Sequence, residues 1–101
     1  MPKPSIQTPA QILAARSYSL GLILPPGLTP CERALVALLY EARPAVVPYV
    51  AIEDELGWSR ESINEHSWSL RRKLNAAKRT PGLVCVKHGV GLRWEVMPDA
   101  P

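Results

Sequence analysis

Two histidines, two cysteines and nine carboxylates bound the chemistry open to this 101-residue chain. As a general base, His66 or His88 would need a nucleophile, an orienting carboxylate and a pocket, and no motif assembles them. Glu61 and Glu65 flank His66 at helical spacing, which makes a surface charge pair rather than an acid–base device. Cys31 and Cys85 stand in no CxxC or CxxH spacing, so they read as small core residues in a reducing compartment, not as zinc ligands. There is no phosphate-binding loop, paired-carboxylate motif or cofactor fingerprint. The expectation is a protein without catalytic residues, metal or cofactor, and not an enzyme.

Cationic side chains carry more of the signal. The formal charge is only +3, but the seven Lys or Arg residues from Arg71 to Arg93, with His88, are interrupted by no Asp or Glu. Acidic residues gather instead in Glu53, Asp54 and Glu55. Such asymmetry predicts one face for a polyanion and another for solvent or a protein. Alone, "LRRKL" (70–74) reads as a solvated helix end whose charge suits the helix dipole. With a tight turn before its helix and a second cationic segment after it, the run becomes a phosphate-tracking surface.

The elements that must position these residues follow from caps and spacing. The chain fits one domain. No apolar run approaches the roughly 20 residues that span a bilayer, and no signal-peptide pattern opens the chain, so the expected location is cytoplasmic, away from membranes. "LTPCERALVALLY" places Thr29 as cap, Pro30 at the first helical position and Glu32 as the reaching partner of a capping box. A helix over about 30–43 follows, with Leu35, Leu38, Leu39 and Ala42 as its apolar stripe. Pro48 starts a second, two-turn helix that Gly57 closes in a left-handed cap. Ser59 then caps a third helix, 59–76, with Ile63, Ser67, Leu70 and Leu74 facing inward and residues 62, 65, 66, 69 and 73 facing outward. Two helices joined this tightly form a helix-turn-helix. "LVCVKHGVGLRWEV" then closes the domain as a hairpin about a Gly89-Val90-Gly91 turn. Ahead of them, residues 1–27 form an arm: "TPAQILAARS" could begin a short helix at Thr8, and "SYSLGLIL" reads more strongly as a strand ended by Pro25. Residues 28–97 are the domain proper, and 98–101 a disordered tail. Trp58 and Trp94 are expected in or beside the core, whereas Trp68 either packs on the arm or meets a partner.

Three helices and a closing hairpin make an α+β winged helix-turn-helix with one N-terminal strand. Over about residues 28–96 the chain resembles the OmpR/PhoB-type effector domain of bacterial response regulators. "LTPCERALVALLY" is similar to that family's first helix and "VKHGVGLRWEV" to its wing. "ESINEHSWSLRRKL" is similar to its recognition helix, with His66, Leu70, Arg71, Lys73 and Leu74 in register. The resemblance implies a recognition helix (59–76) in the major groove of double-stranded DNA and a wing (83–96) on the adjacent backbone or minor groove. Ser62, Asn64, Glu65, Trp68 and Ser69 would face bases. Arg60, Glu61, His66, Arg71, Arg72 and Lys73 would lie by the phosphates, and Lys87, His88 and Arg93 would act from the wing. Departures from the family are the absence of a receiver domain with its phosphorylatable aspartate, and the reduction of the loop between helices two and three to "GW".

The functional expectation is a sequence-specific transcription regulator. Its alternative is an adaptor that binds RNA polymerase or another regulator, with Trp68 as anchor and the acidic trio opposing DNA on one side. A homodimer formed through the N-terminal arm would extend the DNA site.

Overall fold

Thr8 and Thr29 each precede a proline, and each opens a helix. In the computed structural model, which describes residues 7–97, Thr8 caps α1 (Pro9–Ser17) and Thr29 caps α2 (Pro30–Ala42). The threonine Oγ1 accepts from the N–H of Gln11 (3.2 Å) or Glu32 (3.1 Å), whose side chain in return accepts from the threonine N–H at 2.8 Å. Such caps satisfy donors that the first turn leaves orphaned and contribute about 1 kcal/mol each.

The N-terminal strand expected over "SYSLGLIL" does not form. Among the described residues none before Val47 is in a strand, and the chain runs irregularly from α1 to the turn at Gly27. The reason is that a helix closes its own hydrogen bonds whereas a strand needs a neighbour, and the third place in the sheet is taken from elsewhere. β1 (Val47–Pro48) pairs with β3 (Gly91–Val96), and β3 pairs with β2 (Gly82–Lys87), giving an antiparallel sheet of order β1-β3-β2. Gly91 makes this closure possible, because a Cβ there would lie 2.0 Å from the Val47 carbonyl oxygen. The hairpin turn sits just before it: Val90 N–H donates to Lys87 C=O at 2.9 Å, and Gly89 takes φ +76°.

α1 lies along α2, and α2 is buried beyond its expected stripe. Val36 and Ala37 are fully covered together with Ala34, Leu35 and Leu39, while Leu38 is only half-buried. Leu13 and Ala14 of α1 join the same core as Ile52, Leu56, Val84, Leu92 and Trp94. Over the described residues the architecture is thus α+β: four helices and one three-stranded antiparallel sheet. Among the described residues no helix is long and apolar enough to cross a membrane. The tail expected over 98–101 lies outside the described residues.

Candidate functional site

The site is organised by the junction of α3 (Tyr49–Leu56) and α4 (Arg60–Ala76). Gly57 ends α3 at φ +69°, with its N–H on Glu53 C=O at 2.8 Å, so the chain reverses without the steric cost that a side chain would meet in this conformation. Ser59 then caps α4 by accepting from Ser62 N–H at 3.1 Å. Ile63, Ser67, Leu70 and Leu74 are the buried residues of α4, as the spacing predicts. Each buried Ile or Leu stabilises the helix's seat by roughly 1.5–3 kcal/mol.

With that face fixed, the outer surface of α4 is also fixed. Arg60, Glu61, Asn64, Glu65, Trp68, Arg71 and Arg72 are exposed, whereas Ser62, His66, Ser69 and Lys73 form a half-buried flank. Of the residues expected to face bases, Asn64, Glu65 and Trp68 therefore stand clear, and Ser62 and Ser69 sit at the margin. His66 packs against Trp58, with ring centres 4.6 Å apart and planes tilted by 42°, and makes no charge pair with Glu61 or Glu65. Trp68 is 59% exposed and its ring carries Arg72, whose guanidinium carbon lies 5.2 Å from the ring centre. Arg60 lies over Tyr49 at 3.4 Å. Stacking of this kind holds a guanidinium in place while leaving its N–H edge available.

Lys73 is the main surprise. Its Nζ donates to Glu32 Oε1 at 2.6 Å and to the Gly27 carbonyl at 2.9 Å, so its charge is spent inside the protein. The Glu32 side chain is only 1% exposed. Burial pushes its carboxyl up, but hydrogen bonds from Lys73 and Thr29 outweigh that and hold it below the ordinary value. The capping box pointed to Glu32, yet a partner 41 residues away left no sequence signal.

The hairpin supplies the remaining cations. Lys87 and His88 are exposed at its tip, and Arg93 is half-buried on β3 opposite Cys85 on β2. Cys85 lies not in the core but half-exposed on the sheet, its Sγ donating to Glu95 Oε2 at 2.9 Å. That carboxylate, with partial burial, pushes the thiol's pKa up, while Arg93 and Arg71 pull the other way. Cys85 is therefore a protonated thiol and a poor nucleophile. α4 packs against β2, and Arg93 stands opposite Cys85 in the hairpin register, so the cationic helix and the hairpin are neighbours.

No family model, characterised protein or solved structure matches this chain. The functional reading accordingly rests on the site and on the sequence resemblance given above. Among the described residues only Arg16–Glu41 and Lys73–Glu32 form ion pairs, so the exposed Arg71, Arg72 and Lys87 and the half-buried Arg93 have no carboxylate ion-pair partner there. No three metal-ligating side chains gather among the described residues. What this surface can do chemically is to neutralise a polyanion while an exposed amide, Asn64, and an indole, Trp68, approach it from the same helix.

Proposed function

We propose that α3, the Gly57 turn, α4 and the β2–β3 hairpin act as a winged helix-turn-helix that binds double-stranded DNA and regulates transcription, as the resemblance to OmpR/PhoB-type effector domains implies. The observation that carries this reading is that α4, with Arg71 and Arg72 exposed, packs against β2 of the hairpin that bears Lys87 and Arg93, so that two cationic elements are neighbours. α4 enters the major groove with Asn64, Glu65 and Trp68 towards the bases, and Arg71 and Arg72 track the phosphates. The hairpin brings Lys87 and His88 to the adjacent backbone. Lys73 takes no part, because Glu32 holds it.

The test is a titration of duplex fragments from a random pool at several salt concentrations. If Arg71, Arg72, Lys87 and Arg93 each neutralise one phosphate, log affinity falls with log salt at a slope of about −3.6. Arg71→Ala weakens binding to every sequence, whereas Asn64→Ala alters sequence preference. Affinity unchanged by salt would end the proposal.

Exposure of Trp68 beside Glu65 favours a second reading, an adaptor for RNA polymerase or another regulator. A complex with such a protein that survives nuclease and is lost with Trp68→Ala would select it.

A further inference from the structure

The segment that fails to become a strand keeps the burial pattern of one. Leu20, Leu22 and Leu24 are half-buried, while Gly21 between them is exposed and Ile23 is 89% exposed. Among the described residues, no backbone hydrogen bond is made by Gly21, Leu22, Ile23 or Leu24. Gly21 takes a left-handed φ of +74°, so the stretch whose N–H and C=O groups could carry a ladder is Leu22–Leu24. Alongside runs an apolar groove of about 860 Å³, formed between residues 21–26 and the end of α4 with the loop after it, Ala76 to Pro81.

The charge on the groove decides what fits. Its charged lining residues are Lys73, Lys78 and Arg79, and no acidic residue lines it. Lys73 is neutralised by Glu32, which leaves Lys78 and Arg79 on the rim without an ion-pair partner among the described residues. A second copy of this chain, docked by two-fold symmetry through the same segment, would set these cations against themselves. A small amphiphilic anion would satisfy the charge and leave the backbone ladder unpaired.

We propose that this groove docks an extended peptide of a partner protein, which adds as a strand along Leu22–Leu24. Its apolar side chains, two residues apart, enter the groove, and Asp or Glu between or beside them meets Lys78 and Arg79. Pro25 and Pro26 have no N–H to offer, so the paired stretch ends there and the contact is short. The site lies at the C-terminal end of α4 and does not depend on the DNA reading.

The experiment pans a displayed library of random 12-residue peptides against the full chain. Synthetic copies of the enriched peptides are then titrated by fluorescence anisotropy, with backbone amide exchange followed by NMR. The proposal expects enriched peptides in which apolar residues alternate with Asp or Glu, and slowed exchange at Leu22, Ile23 and Leu24. It also expects affinity to fall about tenfold for Lys78→Glu/Arg79→Glu, with the circular dichroism spectrum unchanged. No enrichment, enrichment of basic or neutral peptides, or unprotected amides at 22–24 would overturn it. So would sedimentation as a dimer that buries these residues, or displacement of the peptide by duplex DNA, which would assign Lys78 and Arg79 to a nucleic-acid surface.

Discussion

Replacing Lys73 with methionine keeps the aliphatic stem and deletes the charge that faces Glu32. The Glu32 carboxylate, 1% exposed, would lose its cationic donor and keep only neutral ones, the Thr29 N–H at 2.8 Å and the Ser69 hydroxyl. Breaking a fully buried pair costs about 3–5 kcal/mol, mostly because the remaining charge is stranded. Lys73 is 29% exposed, so water screens part of the pair and the lower end applies, about 3 kcal/mol. For a domain of this size that lowers the melting temperature by roughly 12–24 °C. The double variant Glu32→Gln/Lys73→Met strands no charge and keeps an acceptor for Thr29, so it should recover about 2 kcal/mol of the loss. Urea denaturation at neutral pH measures all three proteins. The pH dependence has a definite sign. Glu32 is held below its ordinary 4.5, so the pair's stabilisation is complete above that value and is lost as pH falls through the folded-state value. In Lys73→Met, burial acts on Glu32 without its counter-charge, and acid relieves the variant by protonating it. The gap between wild type and variant therefore narrows in acid. A Lys73→Met protein within about 1 kcal/mol of wild type at neutral pH, or a gap that widens in acid, would refute the reasoning.

Four further substitutions can be measured by the same denaturation assay. Gly91→Ala places a methyl against the Val47 carbonyl and should cost about 1–3 kcal/mol by forcing β1 away from β3. Ile63→Ala empties a fully buried position between α4 and the core and should cost about 2–5 kcal/mol, whereas Trp68→Ala on the exposed face of α4 should change stability by less than about 0.5 kcal/mol. Gly57→Ala must adopt a left-handed φ and should cost about 1 kcal/mol, with no loss of helix content.

α2, α3, α4 and the hairpin were legible because local chemistry specifies them. "TPCE", Pro48, Gly57 and Ser59 mark ends that need no distant partner, and the period of Ile63, Ser67, Leu70 and Leu74 gives the buried face of α4 directly. α1 carries the same kind of signal in "TPAQ", but the apolar run after it looked like the stronger element because β-patterned sequence does not say whether a partner strand exists. β1 was illegible for the converse reason: two residues become a strand only because Gly91 lets them approach β3. In the candidate site the exposed positions of α4 could be inferred from its buried ones, whereas the diversion of Lys73 depends on a contact across the fold. The resting places of Arg60 on Tyr49 and of His66 on Trp58 likewise require the helices to be docked first.

The way α1 lies over α2 also sets where this protein can be cut. Leu28 looks like a natural place to begin, since the strong start signal at Thr29 follows it. Yet α1 packs along α2, and its Leu13 and Ala14 share one core with Val36 and Ala37. A fragment starting at Leu28 would present a greasy helix side to water, and would clump or borrow a cover from another chain. Shortening from the front should therefore stop ahead of Thr8, and an affinity tag is best fused there, where α1 keeps its cap and its seat.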